Sequence, residues 1–274
     1  MSQFLRPLAL FSASWSRSYT IGRTRTLKQS RSCIKPLLWG AVSVFSAAYA
    51  VQSTATIHLD AEPSLPDSEF ETDPATSIAF PKTLRIPSKF PLPQFSLVGV
   101  GVRTVSFLGI KVYSVGFYAD LANPNLNIPV TATPDEKIEH IVRNTACVLR
   151  IVPTRSTSYS HLRDGFMRAL TARMQLAHAR ATITPAEEAA AQSPLRELKS
   201  LFPTTALSKG TALDVVLVAP SRSPSRPRSL IFRDMGSVEN DWVAEEFVLA
   251  YFEGNGISPP LKKTVAERVR TLGK

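Results

Sequence analysis

An α+β fold, a mainly antiparallel sheet packed by helices, is what the 274 residues predict. Three observations carry this. Two alternating apolar segments, Phe95–Val105 and Ile110–Ala119, are separated only by the turn signal Phe107-Leu108-Gly109, the pattern of paired antiparallel strands. Two helix-start signatures, Thr133-Pro134-Asp135-Glu136 and Thr184-Pro185-Ala186-Glu187, place a capping residue before proline and glutamate. The patterns then run strands, helices, strands, helices, without the alternation of a parallel βαβ fold and without an internal repeat.

Between the paired strands and the first helix, which the cap predicts to about Asn144, residues 123–129 read as a loop. Cys147–Val152 is a short strand closed by Pro153. Ser158 or Ser160 caps a long helix from Tyr159 to about Ala181, with Leu162, Phe166, Leu170, Met174 and Ala177 along one stripe. Two short helices come next, one after Thr184 and one over Leu195–Phe202. Thr211–Ala219 and Ser229–Arg233 are strands around the Ser/Pro/Arg loop 221–228, read as a solvated hairpin insertion whose Arg222, Arg226 and Arg228 are, in the alternative, contacts to an anionic membrane. Asp241–Phe252 is a helix ended by the glycine cap Gly254-Asn255-Gly256, and Ser258-Pro259 starts the last helix, ending near Leu272.

The net charge of +10 does not imply a nucleic-acid partner. Seven basic residues lie in residues 1–35, the first acid is Asp60, and without those seven the count is 25 basic to 22 acidic. An acid-free, Arg/Ser-rich start is the composition of a mitochondrial presequence, so residues 1–35 are read as one. Residues 36–52, charge-free with Trp39 and Tyr49 near the ends, are read as a membrane-spanning segment. That reading puts the protein at the mitochondrial inner membrane among its lipids; a basic leader kept in the matrix would put the domain on the intermembrane-space side, while import and cleavage leave the side open. Residues 53–80, rich in proline and acids, are read as a linker, and 81–274 as the folded domain. Cys33 and Cys147 are the two cysteines; no clustered Cys/His spacing indicates a structural metal, and no phosphate loop indicates a nucleotide cofactor.

Strand alternation places Gly99, Gly101, Arg103, Val105 and Phe107 on one face. A cation inside an apolar strand costs several kcal/mol unless partnered. Arg103 therefore needs a ligand anion, which a guanidinium holds with two parallel hydrogen bonds, or a domain acid such as Asp120 or Asp164. The glycines leave space for a ligand or for a close-packed helix. Lys111 and Tyr113 share a parity and are candidate lining residues, and Tyr159 is a neutral hydroxyl donor near the start of the long helix.

Residues 95–118, Leu149–Pro153, Tyr159, GTALDVVLVAP (210–220) and DWVAEEFVLAYFEGNGISPPLKKTVAERV (241–269) together resemble the chalcone isomerase-like family, an open-faced β-sandwich, over about residues 80–272. With its leader the chain looks like the fungal mitochondrial altered inheritance of mitochondria proteins. The resemblance implies a membrane-associated haem binder rather than a flavonoid isomerase. In true chalcone isomerases the matching arginine works with a threonine on the second strand, a lysine before the tyrosine and an asparagine beyond it. Here Tyr113 stands at the threonine position, Phe166 near the asparagine, and no lysine occurs between Asn144 and Leu198. The expectation is thus an inner-membrane-anchored binding protein for haem or a fatty-acid-like ligand, lined by Gly99, Gly101, Arg103, Lys111, Tyr113, Tyr159 and Phe166, with His161 as candidate axial ligand. Its alternatives are an intramolecular lyase or isomerase using Arg103 and Tyr159, and a structural scaffold.

Overall fold

The computed structural model describes residues 69–88, 91–105, 108–221 and 226–273. The presequence 1–35, the membrane segment 36–52, the first part of the linker, Phe107 and Arg222 lie outside the described residues. Two strands, β1 (Phe70–Thr72) and β2 (Ala79–Pro81), form a first hairpin. Among the described residues, β3 (Thr83–Leu84), β4 (Phe95–Val105), β5 (Ile110–Ala119), β6 (Cys147–Pro153), β9 (Leu213–Leu217), β10 (Ser229–Phe232) and β11 (Gly236–Glu239) form the main sheet in the order β11-β10-β9-β6-β5-β4-β3. Every neighbouring pair is antiparallel. The remaining two, β7 (Thr157–Ser158) and β8 (Ala206–Leu207), pair with each other.

Alternation divides the main sheet into two faces. Val115, Phe117, Leu149, Ile151, Val215 and Leu217 enter the main core beneath the helices. Tyr118, Val148, Val152 and Val216 turn to the opposite face. There the first hairpin supplies Phe80, which is fully buried. Residues 69–80, read from sequence as linker, are therefore part of the folded unit. Proline and acid content is local, whereas the burial of Phe80 is tertiary. Asp73 latches the hairpin down, its carboxylate accepting from Ser114 Oγ at 2.6 Å and from Thr76 Oγ1 at 2.9 Å.

The helices begin where their caps predict. Thr133 and Glu136 form a reciprocal capping box at the start of α1 (Pro134–Asn144). Ser158, rather than Ser160, caps α2 (Tyr159–Ala179), which buries Leu162, Phe166, Leu170 and Met174. The two short helices expected after Thr184 are one, α3 (Pro185–Leu201), with Pro194 inside it. Proline deletes a helix hydrogen bond, but Ala191 and Leu198, on one face on either side of it, are both fully buried and hold the halves together. Helices α4 (Asp241–Leu249) and α5 (Pro259–Arg270) complete the layer.

Two irregularities in the β4–β5 ladder set side-chain directions. Leu97 pairs with Tyr118 but Gly99 with Phe117, and Arg103 pairs with Tyr113 but Thr104 with Lys111. Val98 and Val112 are the unpaired extra residues, and each such bulge reverses the facing of the residues beyond it.

Candidate functional site

A cavity of about 250 Å³ lies between the β4–β5 pair, the first half of α2 and Ile257. Val105, Val112, Leu162, Phe166 and Ala169 give it apolar walls, and Arg103, Tyr113, His161 and Arg168 are its polar groups. Among the described residues no carboxylate lines it.

Arg103 is half-buried, and its guanidinium donates to the backbone carbonyl of Ile257. It pairs with neither Asp120 nor Asp164; the latter is bound to Arg163 at 2.8 Å. Among the described residues that carbonyl is its one hydrogen-bond partner, which leaves most of the five guanidinium donors unused by them. Directly across the ladder, Tyr113 is buried, and its hydroxyl lies 3.0 Å from that of Tyr251. Burial raises the pKa of both phenols, outweighing the Arg103 charge, which lowers it, so both stay protonated at neutral pH.

Gly99 and Gly101 serve the helix and not a ligand, the second of the alternatives the sequence left open. A Cβ at Gly101 would lie 2.1 Å from the backbone nitrogen of Leu261, and one at Gly99 would lie 2.7 Å from Thr264 Oγ1. Helix α5 occupies the space that the missing side chains leave. Lys111 is exposed and donates to the carbonyl of Ala75 at 2.6 Å, on the hairpin side. The Val112 bulge breaks the parity that had placed it with Tyr113. Tyr159 does not line the cavity either. Its amide bonds Thr205, and its hydroxyl is held protonated by burial and by the charge of Asp234. Arg103 and Tyr159, the two residues of the enzyme alternative, thus do not both line this cavity. Phe166 is in the wall, its ring 4.9 Å from that of Phe247, and His161 is exposed on the rim.

Sequence reasoning missed Tyr251, Ile257 and Arg168. Arg168 comes seven residues after His161, two helical turns, and that spacing was a usable signal. Tyr251 and Ile257 flank Gly254-Asn255-Gly256, read from sequence as a helix cap alone.

For haem, His161, Arg103 and Arg168 are the right kinds of group, an imidazole for iron and guanidinium groups for propionates. The volume does not match, because pockets that bury drug-sized ligands span roughly 300–1,000 Å³. Among the described residues no group of three or more His, Cys, Asp or Glu side chains is placed to hold a metal ion.

A second cavity, about 440 Å³, is bounded by α1, the last half of α2 and α4. Eight carboxylates and three arginines line it. Arg143 pairs with Glu139, Glu245 and Glu246; Arg173 with Glu246 and Glu253; and Arg180 with Glu253. Next to it, Arg228 is buried, donating to the carbonyls of Val142, Arg143, Thr145 and Val218 and to Glu245. It is a structural cation, neither the solvated side chain read from its loop nor the alternative membrane contact.

An open antiparallel sheet with helices on one face and a cavity between its central hairpin and a long helix defines a chalcone isomerase-like open sandwich. The chain belongs to the chalcone isomerase like family, which matches residues 93–133 and 131–266. It is 25% identical over 272 residues to altered inheritance of mitochondria protein 18, mitochondrial, of Lachancea thermotolerans, covering 86% of each chain. The Saccharomyces cerevisiae protein of that name is 26% identical over 250 residues, 78% of this chain and 74% of its own. Among solved structures, a fatty-acid binding protein of Arabidopsis thaliana superposes with a TM-score of 0.54 at 16% identity, over 74% of this chain and 98% of its own.

The membrane-anchored reading is corrected. No helix among the described residues is long and apolar enough to cross a membrane. The stretch 36–52 on which the anchor rested lies outside them, and Arg228 of the supposed lipid-contacting loop is buried. The inner membrane as location and its lipids as partners are withdrawn with it.

Proposed function

We propose that this domain binds a single-chain, carboxylate-bearing apolar ligand of the fatty-acid type. The carboxylate sits against Arg103 and the Tyr113 hydroxyl, and the acyl chain runs along Val105, Val112, Leu162 and Phe166. The observation that carries this reading is Arg103: a half-buried cation that, among the described residues, is bonded to one carbonyl, beside a buried phenol and facing apolar walls without an acid. A guanidinium in that setting is complementary to a carboxylate. The name of the Arabidopsis protein, a fatty-acid binding protein of the same fold, supports the ligand class. The names of the fungal relatives and the acid-free first 35 residues support a mitochondrial setting.

Titration of the folded protein with decanoate tests it. Saturable binding is expected, with affinity reduced about tenfold to a hundredfold in Arg103→Ala, the worth of a hydrogen bond to a charged group. Absence of decanoate binding by the native protein, or equal binding by the variant, rejects the assignment. Haem is the second reading, favoured by His161 and Arg168 at the rim. It requires the cavity to widen, and an absorption band titrating with haem and lost in His161→Ala separates it from the first.

A further inference from the structure

We infer that Tyr251, which sequence reasoning did not single out, orients the hydroxyl proton of Tyr113 into the cavity and so sets its preference for an ionised carboxylate over a neutral head group. The inference rests on the reading of the cavity as a carboxylate site and extends it to a residue outside the cavity wall.

A proton count leads to this assignment. Each phenol carries one proton and can also accept. The Tyr113–Tyr251 pair makes one hydroxyl–hydroxyl bond, 3.0 Å long, which uses one of the two protons. Tyr251 is fully buried, and its hydroxyl has no other partner among the described residues. With Tyr113 as donor, the spare proton would be that of Tyr251, stranded in the core; a buried unmatched donor carries the full desolvation penalty. With Tyr251 as donor, the spare proton belongs to Tyr113, which lines the cavity beside Arg103. The second arrangement leaves nothing stranded once a ligand oxygen, or water, accepts. Tyr113 then offers a donor in addition to the guanidinium, and both favour an anionic oxygen.

The backbone fixes this geometry. Gly256 adopts φ +67°, and a Cβ there would lie 2.0 Å from the carbonyl oxygen of Tyr251. The amide of Ile257 donates to Ala250 at 3.2 Å, while its carbonyl accepts from Arg103. One tight turn therefore places both Tyr251 and the carbonyl that aims Arg103. Tyr251 is a positioning residue, since it acts through Tyr113.

The experiment compares decanoate and methyl decanoate binding to wild type, Tyr251→Phe, Tyr113→Phe and the double variant. Tyr251→Phe keeps the ring and deletes the donor. Its decanoate affinity is expected to fall about five- to tenfold with methyl decanoate affinity changed less than about twofold, the scale of one hydrogen bond. The double variant should bind decanoate no more weakly than Tyr113→Phe alone, because the two hydroxyls act as one unit. Unchanged decanoate affinity in Tyr251→Phe overturns the inference while leaving the carboxylate site intact. Equal loss for acid and ester overturns it too, by showing a packing effect. If wild type binds neither, the site reading fails first and this inference with it.

Discussion

The two cavities share helix α2 and differ in how their charges are met. The larger is lined by eight carboxylates and three arginines, and each of those arginines has at least one glutamate partner. The smaller holds Arg103, His161 and Arg168 and, among the described residues, no acid. Volume alone would favour the larger one as the binding site. Charge pairing points the other way: every arginine of the larger cavity is ion-paired, even Arg173, whose Nη1 lies 3.0 Å from Glu253 without a well-aligned hydrogen bond, whereas a half-buried cation against apolar walls has donors left for a ligand. The groove is best understood as the ionic seam joining α1, α2 and α4, and the smaller cavity as the place where the fold leaves chemistry unfinished.

The largest test of this distinction is Arg228→Leu. It removes five hydrogen bonds from a buried guanidinium and leaves Glu245 and four carbonyls to compensate. Stability in urea unfolding should fall by about 3–5 kcal/mol, with decanoate affinity of the folded fraction unchanged. Arg173→Met is next. Glu246 keeps Arg143, so the loss should be about 1–2 kcal/mol, again with no change in ligand affinity. A fall in affinity with either variant would break the comparison by showing that the seam and the site are coupled. The smallest effects appear only at extremes of pH. Burial raises the pKa of Glu253, but hydrogen bonds from Arg173 and Arg180 outweigh it and hold the carboxyl below its usual 4.5. Its contribution is present above pH 4.5 and lost as pH falls through the depressed value, so the seam weakens in acid. Tyr113 and Tyr251 lie above 10 in the fold. Above pH 10 the unfolded chain releases protons that the native state keeps, and stability falls. Urea midpoints across pH should show Arg180→Gln shallowing the acid limb and Tyr251→Phe the alkaline one.

The range of the forces involved decided which features were legible in sequence. The limits of β4 and β5 were legible because alternation is local, and α1 and α3 began on time because a capping box spans four residues. Arg103 stood out because a cation in an apolar strand is anomalous whatever surrounds it. Tyr251 and Ile257 were hidden because they lie 138 and 154 positions from the residues they touch. Lys111 was misplaced by one bulge, since a single unpaired residue inverts every parity argument beyond it. Gly99 and Gly101 were ambiguous in principle: absence of a side chain reads the same whether a helix or a ligand fills the gap.

The closeness of α5 to those glycines has a consequence for self-association. Beyond its short pairing with β3, the outer edge of β4 would present free carbonyls to another chain, the usual route to sheet extension and aggregation. Ser258 Oγ donates to the carbonyl of Val102 at 2.8 Å and Thr264 Oγ1 to that of Val100 at 2.7 Å. The helix lies so near the strand that its hydroxyls take the place of a neighbouring strand's amides. Those two carbonyls are taken and not open to an added strand, and any larger residue at position 101 would push the helix away and uncover them along with the core.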